Sequence, residues 1–153
     1  MTKILLSLHV LAAILAVGPV TVAASMFPAA LRRAAAEGDA GRTTLRTLHR
    51  ICRLYAGIGI AVPVFGFATA SSLGVLGDPW VITSVVLTAA AAGVLVLLVL
   101  PGQDRALTGT ASPDGTPAAA VAARLALATG IFNLLWATVT VLMIVRPGST
   151  TGA

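Results

Sequence analysis

Four long apolar runs, separated by short polar stretches, decide what this chain can fold into. They cover about residues 4–31, 54–77, 80–100 and 125–145. A helix crosses the hydrocarbon core of a bilayer with about 20 apolar residues. Lipid offers no partner to a backbone N–H or C=O, so only helices and closed barrels span it. Barrel strands alternate over roughly ten residues, and these runs do not alternate. The expectation is an all-α, polytopic membrane protein, a four-transmembrane-helix bundle forming a single domain over residues 1–153. Composition leaves little else. Of the residues, 58% are apolar and 10% charged, against roughly 45–50% and about 25% in soluble domains.

The polar stretches set the predicted direction. Arg32, Arg33, Arg42, Arg46, Arg50 and Arg53 lie between the first two spans, and Arg105 and Arg124 between the last two. Lys3 and Arg146 lie on the opposite side. Eight of the ten basic residues therefore mark a hairpin over residues 32–53 and a loop over residues 101–118 as cytoplasmic, with the N- and C-termini outside. The net charge of +5 is a topology signal and implies no nucleic-acid partner. Trp80, in "GDPW", is then expected at the outer interface. A secretory signal starting at Lys3 and cleaved near Ala24 is an alternative. The long first run and the six arginines that closely follow it favour a retained span.

Within the hairpin, alanines carry the first helix onward until Gly38 and Gly41 stop it. Thr43 or Thr44 is expected to cap the next helix, since a hydroxyl oxygen accepts from a free N–H there. Arg42, Arg46, Arg50 and Arg53 then recur at helical spacing on one face. That face suits anionic lipid headgroups at the cytoplasmic surface, or an acidic partner. The stretch "PGQDRALTGTASPDGTP" is turn-rich and reads as a mobile connector.

Helices associate in lipid through small residues that let backbones approach. On the first span His9 shares a face with Ala12, Ala13 and Ala16, while Ile4, Leu8, Leu11 and Leu15 form a bulky stripe suited to lipid. His9 is thus expected to point inward. Gly66, Ala70 and Gly74 make a small-residue seam on the second span. Pro19 and Pro63 remove backbone donors inside their spans and are expected to bend them. Ser71, Ser72, Thr83, Ser84 and Thr140 fall at a depth similar to His9, with Asn133 deeper. Together they suggest a polar layer inside the bundle.

Three readings of His9 stay open. It is a neutral imidazole bonded to a nearby hydroxyl, a proton-handling group, or one ligand of a haem or copper ion whose other ligand comes from a second subunit. His49 lies at the other end of the bundle and is too far away to share a metal with it. Met26, His49 and Cys52 offer thioether, imidazole and thiol at one depth, a set suited to Cu(I). As the only cysteine, Cys52 excludes an internal disulfide. All five acids, Glu37, Asp39, Asp78, Asp104 and Asp114, lie between spans. No phosphate-cradling loop, nucleophile elbow or zinc spacing is present in the sequence. These features lean away from an enzyme.

The stretches "LHVLAAILAVGPV", "FPAALRRA" and "LHRICRLYAG…PVFG" resemble a group of uncharacterised four-helix bacterial integral membrane proteins of the DUF2269 type. The opening Leu8, His9, Ala12, Ala13 and Gly18 also resembles, more distantly, the first helix of copper-resistance D membrane proteins. The first resemblance implies a fold and no activity, and the second implies copper handling near the outer face. The function expected is a non-enzymatic accessory or structural subunit of a larger assembly, or a homo-oligomer, in the bacterial cytoplasmic membrane. The alternatives are a binding or transport protein with a polar pocket around His9, and a haem or copper protein using His9.

Overall fold

The computed structural model describes residues 2–109 and 117–148. Its elements in chain order are α1 (Thr2–Glu37), α2 (Asp39–Ile58), α3 (Ala61–Leu73), α4 (Pro79–Val94), a π-helical turn (Leu95–Val99), α5 (Leu100–Thr108) and α6 (Ala118–Val145). Four helical stretches are long and apolar enough to cross a membrane: α1, α2 with α3, α4 through α5, and α6. The bundle has a hairpin end, at the α1–α2 junction, and a turn end, between α3 and α4.

The prolines act differently from one another. α1 continues through Pro19 and Pro28 as one unbroken helix. The second span breaks instead, at Gly59 and Ile60, four residues ahead of Pro63. Pro63 has no N–H to give the Gly59 carbonyl. That oxygen accepts from Val62 N at 3.1 Å, and Ile60 N donates to Gly57 O at 3.3 Å. These tight three-residue turns carry the chain across the break.

The third span, read as ending near residue 100, continues as helix through Pro101. The π-helical turn stands just upstream, and Leu100 N donates five residues back to Leu95 O. A turn widened in this way keeps the proline ring clear of the carbonyl it would otherwise strike. Over residues 100–108 the expected connector is therefore α5. Residues 110–116 of that stretch lie outside the described residues.

The hairpin is tighter than the sequence suggested. Gly38 alone makes the turn, at φ 56°, a conformation that costs a side chain but not glycine. Gly41 does not stop a helix but sits inside α2, where a Cβ would lie 2.7 Å from Ala34 Cα. Glycine is what lets α1 and α2 approach there. Thr43 and Thr44 are likewise inside α2, bonding back to Asp39 O and Ala40 O at 3.0 Å rather than capping. At the turn end, Gly74 has φ 70°. Val75 N reaches Ala70 O and Gly74 N reaches Ser71 O, both at 3.1 Å, which closes α3 with a Schellman turn. Gly74 is thus a helix stop and not part of a packing seam.

α1 is the central helix and packs on α2, α3 and α6, while α4 packs on α6. The main core gathers toward the hairpin half around Phe27, Cys52, Ala91 and Val99, all fully buried. A smaller cluster of Ala70, Trp80 and Val81, with Val75 and Met143 against it, joins the helices at the turn end. Trp80 is thus buried inside the protein. Its Nε1–H donates to Asp78 Oδ2 at 3.0 Å, and the Arg146 guanidinium stands 5.8 Å from its ring centre.

Candidate functional site

Two histidine sites, one near each end of the bundle, carry most of its unusual polar chemistry. In α1, Ala12, Ala13 and Ala16 turn inward, and Ile4, Leu8, Leu11 and Leu15 turn out. His9 goes with the first group and is half-buried. Its Nδ1 lies 2.9 Å from the carbonyl oxygen of Val62, beside the break at Pro63. A carbonyl only accepts, so Nδ1 carries the hydrogen and Nε2 the lone pair of the neutral ring. The imidazole fills a notch at Gly66, where a Cβ would come within 3.0 Å of His9 Cε1. His9 thus fastens α1 to α3.

The partner of His9 is backbone and not a hydroxyl. Four of the hydroxyls expected near it bond their own preceding turn. Thr83 donates to Pro79 O at 2.7 Å, Ser84 to Trp80 O at 2.8 Å and Thr140 to Trp136 O at 2.9 Å. Ser72 donates to Thr69 O at 2.9 Å. Ser71, Ser72, Thr83 and Thr140 are exposed, and only Ser84 among these hydroxyls is buried. The structure does not gather them around His9. Asn133 is held elsewhere, its Nδ2 donating to Ser25 Oγ on α1 at 3.2 Å. On this stretch of α6, Thr129 Oγ1, Asn133 Oδ1 and Trp136 Nε1 are buried without a hydrogen-bonding partner among the described residues.

The second site lies at the hairpin end. His49 Nδ1 donates to Gln103 Oε1 at 3.0 Å, and Gln103 Nε2 donates to Cys52 Sγ at 3.6 Å. Gln103 is 1% exposed, Cys52 0% and His49 8%. A polar side chain buried that deeply needs partners for both ends of its amide, and this one has them. His49 Nε2 lies 3.9 Å from Asp104 Oδ1, whose carboxylate is largely in the open. Reading the stretch as a connector missed Gln103. Val99, Gln103 and Leu107 recur every four residues, and that helical stripe was the available signal.

The thioether expected beside this pair is not there. Met26 is 53% exposed, whereas Ala23, Ala24 and Phe27 form the buried face of α1. The trio of Met26, His49 and Cys52 does not assemble, because Met26 falls on the lipid side of its helix. No group of three or more His, Cys, Asp or Glu placed to hold a metal occurs among the described residues. Arg42, Arg46, Arg50 and Arg53 are all exposed, on a face beside the buried stripe of Leu45, Leu48, His49 and Cys52.

Four apolar spans with inward small residues and lipid-facing bulky ones define a helical integral membrane protein. The chain belongs to the DUF2269 family of predicted integral membrane proteins, whose model matches residues 3–147. No curated protein and no solved structure matches it.

Proposed function

We propose that this protein is a non-enzymatic accessory or structural subunit of a larger assembly in the bacterial cytoplasmic membrane. One observation carries the reading: α4 leaves a small-residue face uncovered. Ala89 is exposed, and four residues on, nothing lies within 4 Å of where a Cβ on Gly93 would stand. Lipid tails do not push apolar helices together, and close backbone approach at small residues does. α4 packs on α6 through its other face, and α3 packs on α1 with little contact to α4. A helix from another subunit fits the uncovered face. The test is affinity purification in mild detergent. Wild type is expected to come down with a stoichiometric membrane partner, and Gly93→Leu to come down alone with an unchanged melting temperature. A lone wild-type chain overturns the proposal.

A second reading has one observation in its favour. His9 gives Nδ1–H to a backbone carbonyl, as metal-bound histidines commonly do, which leaves the Nε2 lone pair for a haem iron or copper ion. The remaining ligands would come from another subunit. A Soret band or stoichiometric copper in wild type, lost in His9→Ala and kept in His49→Ala, supports this reading. The absence of both signals removes it.

A further inference from the structure

We infer that the groove on the second half of α2 binds the phosphate of an anionic phospholipid. The inference narrows the lipid contact expected of the arginine face to one discrete site, and it is independent of the subunit role proposed above. His49, Arg50, Arg53 and Leu54 line an open groove of about 410 Å³. Residues three apart on a helix are neighbours, so both guanidiniums reach the same side. Both side chains are exposed, and neither is ion-paired with a carboxylate among the described residues. Among the described residues, the acid beside the groove is Asp104, which sits at His49 Nε2 and not in the lining. Two permanent cations against that single carboxylate leave the groove positive. A guanidinium fork matches two phosphate oxygens at once, a pairing that lysine's point charge does not give.

The groove also has a fixed wall. His49 is buried, and its ring is held by Gln103 at 3.0 Å. Gln103 is itself oriented by its bond to Cys52 Sγ. An arginine pair beside such a wall loses less freedom on binding than one on a free surface. The groove leads onto apolar surface: Leu54 is 59% exposed, and Ile58, one turn further along α2, is 44% exposed. Phosphate above and an acyl track below describe a phospholipid rather than free phosphate. The net charge matters too, because the ammonium of a zwitterionic headgroup meets two guanidiniums.

The test is native mass spectrometry of the full chain in mild detergent, titrated with phosphatidylglycerol or phosphatidylcholine. One phosphatidylglycerol per chain is expected, with phosphatidylcholine bound at least about tenfold more weakly. Arg50→Gln with Arg53→Gln is expected to weaken phosphatidylglycerol about tenfold. Arg42→Gln with Arg46→Gln removes the same charge from the same helix outside the groove, and its effect is expected to stay within about twofold. Arg50→Lys with Arg53→Lys keeps the charge without the fork and is expected to fall between. Equal weakening by the two glutamine pairs would mean diffuse attraction and overturn the site. Displacement of the lipid by inorganic phosphate would make it a free-anion site and overturn the lipid assignment, as would equal binding of phosphatidylcholine.

Discussion

His9 Nδ1 and the Val62 carbonyl oxygen stand 2.9 Å apart, so the first span is bonded to the second beside its proline break. The bond is possible because Gly66 leaves room for the ring. Filling that notch must move the imidazole or the helix. Gly66→Leu is therefore expected to cost about 1–3 kcal/mol, the usual penalty of overpacking. In a His9→Ala background the same change should cost clearly less, since the notch is then empty. Thermal melting of the four members of this cycle in detergent measures the coupling. Equal costs in both backgrounds would separate Gly66 from His9.

Gln103 offers a similar test at the other end. Gln103→Leu leaves the Nδ1–H of buried His49 without its acceptor. The expected loss is about 1–3 kcal/mol, the cost of an unpaired buried polar group. Replacing both partners, as His49→Leu with Gln103→Leu, should recover most of it, because no polar atom is then stranded. Urea or thermal unfolding of single and double variants decides the matter.

The α1–α2 junction makes a sharper demand. Gly41→Ala puts a methyl carbon 2.7 Å from Ala34 Cα, a backbone atom that moves only with its helix. A loss of about 1–3 kcal/mol is expected from this single added carbon. Gly38→Ala is sterically open but strained by its positive φ of 56°, and a loss of about 1–3 kcal/mol is expected from that strain. Thermal melting of the two variants measures both losses, and a change without effect overturns the role given to that glycine.

Direction in the membrane is testable without altering the native thiol. Cys52 is 0% exposed, so single cysteines can be added to the wild-type chain. A membrane-impermeant maleimide applied from outside intact cells is expected to label Gly77→Cys and spare Asp39→Cys. The reverse pattern would turn the protein over, against its arginine distribution.

Much of this architecture was legible from residue order alone. The four spans, the outward Ile4, Leu8, Leu11 and Leu15, and the inward Ala12, Ala13 and Ala16 follow from hydropathy and helical period. Those are properties of a segment taken by itself. Three features were not legible in that way. His9 is bonded to a carbonyl instead of a hydroxyl, Gly41 is a packing contact instead of a helix stop, and Gln103 is buried in a stretch that looked like a connector. Each depends on what lies across from the residue in another helix. The serines and threonines do not serve His9, because packing places them elsewhere: Ser71, Ser72, Thr83 and Thr140 are exposed, and buried Ser84 is bonded to Trp80 O. Gln103 could be buried only because His49 and Cys52 on α2 were there to meet both ends of its amide. Residue order thus determined which segments enter the membrane and which of their faces meet lipid. The tertiary structure alone decided which polar groups are paired inside, because a hydrogen bond between helices needs two chains of atoms brought within about 3 Å.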